Sequence, residues 1–243
     1  MINFFRKIRK QLADDNKPLK YARYAIGEIV LVVIGILIAL SINNWNESQK
    51  IEDLEINMLV EVKDGLEFDL KEIEKITVLH NGFIVSQQIT IDWLQNSLPF
   101  QDTIGHHFTR TFFSESFIFK EGPYETLKQI GLEIIKNDTI RDQISNLYDL
   151  KYEEVRLWNE DFFTFKQHYR DQMGENRFKM INHSDIFAGF EPLNVSNLKA
   201  DESFLFKLSM MMNGVKLYNA RLEDLKIDIN QLINLIELEL RNR

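Results

Sequence analysis

Between Tyr24 and Ile42 the chain reads YAIGEIVLVVIGILIALSI, nineteen residues carrying one charge, Glu28. A helix of that length covers roughly 28 Å, close to the ~30 Å hydrocarbon core of a bilayer, and insertion is the cheapest fate for so much apolar surface. The segment therefore reads as a transmembrane helix and makes the lipid bilayer the first expected partner. Tyr21 and Tyr24 on one flank and Trp45 on the other stand where amphipathic rings prefer the headgroup layer.

Charge orients this helix. Residues 1–23 hold seven Lys and Arg against Asp14 and Asp15, a net of +5. The whole chain is −8, so with +5 before the helix and −1 from Glu28, residues 29–243 carry −12. Positive flanks stay in the cytoplasm. The expected organisation is a basic cytoplasmic segment over 1–23, a span over 24–42 and an extramembrane domain over 43–243, periplasmic if the host is a bacterium. The rival reading is a cleaved signal peptide, with Ile29 to Leu40 as its apolar region and Ala39-Leu40-Ser41 as the cleavage site.

Within the span, Gly27, Gly35 and Ala39 fall near one stripe, and Gly35-xxx-Ala39 is a small-xxx-small pair that permits close helix contact and self-association. Small residues are also simply common in spans. Glu28 lies about one turn inside the cytoplasmic boundary, within reach of headgroup water, Lys20 and Arg23, so it reads as an interfacial carboxylate rather than a proton relay.

The string KYxxYAIGEIVLVVIGILIALxINNWNE, with Glu28, Gly35, Asn43, Asn44 and Trp45 in place, resembles the N-terminal signature of a family of uncharacterised single-span bacterial membrane proteins, a domain of unknown function. The likeness is strongest over residues 4–47, and PYETLKQIGLEIIKNDTIRDQISNLYD resembles the family's extramembrane part. That resemblance implies a bacterial inner-membrane anchor and supplies no catalytic or binding residue.

The rest of the chain is expected to be all-α, a bundle of long antiparallel helices. From Ile51, apolar residues recur at Leu54, Met58, Val62, Leu66, Leu70, Ile73 and Ile76, spacings of three and four that build one helix face. That helix runs toward Trp93, stops before Ser97-Leu98-Pro99 and is expected to be continuous with the span. Pro123 suits a first helical position, Tyr124 to Lys136 forms a helix, Asp138 is placed to cap, and a further helix runs from Thr139 to about Met173. The last helix, about Asp201 to Leu240, carries Leu208, Met211, Val215, Tyr218, Leu222, Leu225, Ile229, Leu232 and Ile236 without a break. Leu222, Leu225, Ile229, Leu232 and Ile236, with Gly35 and Ala39, are the candidate helix-contact residues.

Two stretches depart from helical pattern. Phe108, Phe112, Phe113, Phe117 and Phe119 crowd into a Phe-rich irregular insertion that reads either as a binding groove or as a hydrophobic plug. Residues 178–197, with Gly189 and Pro192, read as loop.

Much chemistry is missing. Cysteine is absent, which removes thiolate catalysis, Cys-ligated zinc and disulfides. His80, His106, His107, His168 and His183 form no HExxH or ExxH pattern, and the adjacent His106 and His107 are better read as surface or packing residues than as metal ligands. Phosphate loops and the GxSxG elbow do not occur. Glu153-Glu154 and Glu160-Asp161 stand beside basic residues on a solvated helix face. No catalytic, cofactor or metal residue is assigned, and the −12 charge disfavours nucleic acid. The expected role is a non-enzymatic, membrane-tethered interaction or scaffolding protein; a small-molecule sensor signalling through a separate protein is the alternative, and an enzyme of unrecognised type the third.

Overall fold

In a computed structural model the described residues are 18–113, 115–174, 176–181 and 189–243, with the side chains of 18–21 and 24 excepted. Most of the basic segment (residues 1–17), His183 and the rings of Tyr21 and Tyr24 lie outside that set. The chain is mostly helical (83%). Helix α1 is Pro18–Gln95, α2 is Asp102–Thr111, α3 is Gly122–Ile130, α4 is Asp138–Asn146, α5 is Tyr152–Gly174, α6 is Val195–Lys199 and α7 is Glu202–Arg241. A single 3-10 turn, Leu132–Ile134, follows α3, and a π turn, Leu147–Lys151, joins α4 to α5.

The chain divides into two compact units, residues 1–55 and 56–243. In the first, the only described element is the N-terminal part of α1. It includes one stretch long and apolar enough to cross a membrane, none of it buried.

The second unit is built on apolar stripes. On α1, Met58, Leu59, Val62, Leu66, Ile73 and Ile76 are buried, as are Leu208, Met211, Val215, Tyr218, Leu222, Leu225, Ile229, Leu232 and Ile236 on α7. The two run antiparallel: Lys63 pairs with Glu237 at 3.9 Å, and His80 meets Asn219 at 2.7 Å. Helix α5 also opposes α7, since Trp158 stacks on Tyr218 and Phe162 faces Gly214. Side chains from these three helices and from the shorter elements between them fill two separate cores. One centres on Leu59, Leu66, Tyr152 and Ile229, and the other on Trp93, Phe108, Phe204 and Leu208.

Several expectations need correction. The helix expected over 124–136 ends at Ile130 because Gly131 adopts φ +112, a backbone conformation open to glycine. The next helix is capped by Asn137, whose side chain accepts from the Ile140 N–H at 3.3 Å, and not by Asp138, which is already inside the first turn. The described parts of the 178–197 stretch are largely regular rather than loop, and the chain is not purely α. Antiparallel strands β1 (Phe178–Ile181) and β2 (Gly189–Pro192) pair Phe178 with Pro192 and Ile181 with Gly189, and α6 follows. The ribbon forms because Phe178 and Phe190 bury their rings against Phe112, which outweighs the local turn signals.

Candidate functional site

Between α2 and α3, residues 115–121 form no regular secondary structure. A segment without helix or ladder leaves its backbone N–H and C=O groups to find side chains or water. Four side chains from three helices do this. Lys166 of α5 donates Nζ to the Phe113 carbonyl. His80 of α1 places Nε2 3.0 Å from the Glu115 carbonyl. Tyr218 of α7 accepts the Phe117 N–H at 3.2 Å, and Asp69 of α1 accepts the Lys120 N–H at 3.0 Å.

These side chains are removed from water. Asp69 is fully buried, His80 and Tyr218 are 1% exposed and Lys166 is 3% exposed. Burial pushes the Asp69 carboxyl up to about 6, against the lowering effect of the Tyr152 hydroxyl at 2.6 Å and the Lys120 N–H. Burial likewise drives the Lys166 ammonium down to about 7, with the Arg170 charge adding to it, and lowers His80. Both His80 nitrogens face oxygens, Asn219 Oδ1 at 2.7 Å and the Glu115 carbonyl. The imidazolium satisfies both as drawn. A neutral ring satisfies both once the Asn219 amide turns over together with its neighbour Asn81, to which Asn219 Nδ2 donates at 3.3 Å.

An aromatic ladder continues from this segment. Phe117 meets Phe119 at 4.5 Å, Phe119 stacks on Tyr152 at 4.3 Å, and Tyr148 follows at 4.9 Å before stacking on Tyr124 at 4.5 Å. The Tyr148 hydroxyl is buried and finds no hydrogen-bond partner among the described residues, while Tyr124 donates to Asp149 at 2.5 Å. A recess of about 260 Å³ lies beside the segment, walled by Phe117, Phe119, Val155, Tyr218, Arg156 and Asn159. Arg156 is engaged by Glu121 and Glu153 and lies over the Phe119 ring.

The five phenylalanines do not share one surface. Phe108 and Phe112 belong to the core around Trp93; Phe117 is in the other core, with Phe119 against it. Phe113 is 43% exposed. Phe108 lies within α2, where the sequence suggested an irregular insertion; Asp102 in its first turn and the apolar spacing Ile104-Phe108 favour helix there. Leu222, Leu225, Ile229, Leu232 and Ile236, offered by the sequence as a contact surface, are at most 2% exposed: they are this chain's own core, because α1 and α5 already cover the stripe. Gly35 and Ala39 are exposed, with nothing within 4 Å of a Cβ built on Gly35. Glu28, Ile42 and Trp45 are exposed on α1 as well.

Of the histidines, His107 sits 3.2 Å from the Ser86 hydroxyl and His168 3.0 Å from Gln172. Among the described residues no three His, Asp or Glu are grouped to hold a metal.

Sequence reasoning missed Asp69, His80 and Lys166, although a signal was there. Val62, Leu66, Asp69, Ile73, Ile76 and His80 keep alternating spacings of four and three, so the two polar residues occupy positions of the apolar stripe; Leu70, assigned to that stripe, is only partly buried. Lys166 follows Phe162 by four on α5 in the same way. A titratable residue at a stripe position is a buried residue that must have a partner.

No curated protein and no solved structure shows significant similarity to the chain. A sequence model of a family of unknown function, DUF6090, matches residues 28–182, more than half of the chain, and its match takes in the apolar helix from Glu28, the clamped segment and three of the four clamping side chains. The chain belongs to that family of unknown function.

Proposed function

We propose that this chain is a single-span, membrane-tethered helical module that acts by binding other envelope proteins or copies of itself, with residues 1–23 in the cytoplasm of a bacterium and the domain after the span in the periplasm. The observation that carries the reading is the state of α1 between Ile26 and Ile42. There Ile29 is 63% exposed, Leu31 68% and Leu37 56%, left largely uncovered by the described residues. An apolar surface of this extent is incompatible with water and matches the thickness of a bilayer. The family match begins at Glu28, inside this stretch, so the apolar helix is part of what the family shares, which favours an anchor over a removed signal peptide.

A non-catalytic role is supported by where the buried polar groups go: Asp69, His80, Lys166 and Tyr218 are spent on the backbone of one segment of the chain itself. Gly35 and Ala39 offer the closest approach for a second span. The absence of cysteine makes the topology directly testable, since single cysteines at Gln11 and Asn242 are the only thiols in their variants. An impermeant maleimide applied to intact cells should label Asn242→Cys and spare Gln11→Cys; the reverse pattern, or a shortened chain lacking the N-terminal residues, sinks the anchor reading. In vivo crosslinking of the tagged chain should recover either one reproducible partner or a dimer weakened by Gly35→Leu. Strictly monomeric behaviour without any partner overturns the interaction reading.

The recess at Phe117 and Phe119 supports a second reading, a small-molecule sensor that signals through a separate protein. Under it, a compound that raises the thermal midpoint of the full chain loses that effect in Phe119→Ala.

A further inference from the structure

The recess beside Phe117 contains a buried donor that the rest of the chain does not satisfy. Tyr218 is 1% exposed, and its hydroxyl oxygen accepts the Phe117 N–H at 3.2 Å; among the described residues no acceptor meets the phenolic proton itself. Asn159, half-buried on another wall of the recess, makes no side-chain hydrogen bond to any described residue. We infer that the recess binds a small uncharged compound with an aromatic body and a carbonyl-type acceptor, the acceptor seated on the Tyr218 hydroxyl and the ring among Phe117, Phe119 and Val155. This rests on the sensor reading of the recess and gives that sensor a ligand class.

The walls set the body of the ligand. Phe117 and Phe119 meet edge to face, with centroids 4.5 Å apart and planes at 85°, and Val155 and Ile118 complete the apolar lining. Aromatic walls of this kind favour an aromatic guest over an aliphatic one. The volume of about 260 Å³ lies just below the roughly 300–1,000 Å³ of sites for drug-sized ligands, which fits a single ring with a short substituent. Ile118 is 79% exposed at the rim and has the most surface left for a guest to cover.

Charge and hydrogen bonding set the rest. The two ionised side chains of the lining, Glu121 and Arg156, are engaged with each other, and Glu153 takes a second guanidinium nitrogen at 2.8 Å. An anionic ligand would have to displace Glu121 from Arg156 while facing two carboxylates. A cationic ligand would have to displace Arg156 from Glu121 and meet like charge in its turn. A neutral compound leaves the pair intact. Tyr218 already lends its oxygen to Phe117, so what it offers a ligand is the proton. A guest that displaces solvent without supplying an acceptor strands this donor, and a stranded buried donor lowers affinity about tenfold or more. A carbonyl oxygen has two lone pairs, one for Tyr218 and a second open to the Asn159 amide.

The test titrates four probes of similar shape onto the full chain in detergent micelles: acetophenone, a neutral carbonyl compound; cumene, which has no polar atom; benzoate, an anion; and benzamidine, a cation. Binding is read from the Ile118 methyl signal of isotope-labelled protein, with free probe measured by dialysis. Acetophenone should shift that signal saturably and bind at least about tenfold more tightly than either ion. Tyr218→Phe should weaken acetophenone about tenfold and change cumene less than about twofold. Should Tyr218→Phe fail to fold, Asn159→Leu on the rim carries the same comparison, with a smaller loss of about threefold confined to acetophenone. Equal losses for cumene and acetophenone in a folded variant, or tighter binding of either ion, overturn the ligand class and leave a sensor of other chemistry standing. Failure of all four probes to move Ile118 overturns the ligand class as well, and the sensor reading then stands or falls on its own Phe119→Ala comparison.

Discussion

Two apolar stripes of this chain have opposite fates. Along α7 every stripe residue from Leu208 to Ile236 is at most 2% exposed, whereas from Ile29 to Leu40 on α1 each large aliphatic residue is at least 47% exposed. Both are helices rich in Ile, Leu and Val. The difference lies in the other faces. The α7 stripe is flanked by Lys, Glu, Asp and Asn, so only one side needs covering and protein covers it. The α1 stretch is apolar all round, and neither a second core helix nor a single partner face removes that surface from water.

Substitutions sharpen this contrast. The largest effect is expected for Leu222→Asp, which places a carboxylate against Tyr218 and Leu225 in the core and should cost more than about 4 kcal/mol, enough to abolish the cooperative thermal transition. Leu37→Asp should leave that transition in place and instead move the protein out of the membrane fraction, at about 3 kcal/mol of insertion energy. Equal destabilisation of the fold by both would end the comparison. Truncating Ile229, fully buried, to Ala should cost about 2–5 kcal/mol in chemical unfolding, whereas Ile34→Ala stays within about 0.5 kcal/mol.

Polar positions on the buried stripe give the next effect. Asp69 keeps its proton to about 6 when folded and to 3.8 when unfolded, so the folded state binds the extra proton between those values and stability falls as pH rises through them. The loss approaches about 3 kcal/mol and should vanish in Asp69→Asn, whose amide can still accept from Lys120. Gly214→Ala drives a methyl group into the Phe162 ring and should cost about 1–3 kcal/mol by thermal unfolding. Smallest is Asn137→Ala, about 1 kcal/mol from the lost cap on α4.

Periodicity made the long helices legible: the end of α1 before Ser97, the start of α7 at about Asp201 and every α7 stripe residue are visible in the spacing, whereas the capping role of the Asp201 side chain emerges only in the structure. The β1–β2 ribbon was not, because Phe178, Phe190 and Phe112 find one another only across the fold. The clamp was half visible. Asp69, His80 and Lys166 occupy apolar-stripe positions, but their shared target is a non-helical segment 35 to 53 residues away from His80 and Lys166.

By itself, then, the sequence determined the anchor-like helix, the amphipathic faces and the absence of thiol chemistry, since these depend on composition and on the 3.6-residue period of a helix acting over short range. Tertiary structure alone decided that the α7 stripe is core rather than contact surface, that Gly214 must be small to admit Phe162, and that three titratable groups from two helices converge on one strand of backbone. Those are long-range facts: they follow from which surfaces meet once burial has chosen a packing, and local spacing carries no information about what lies across the interface.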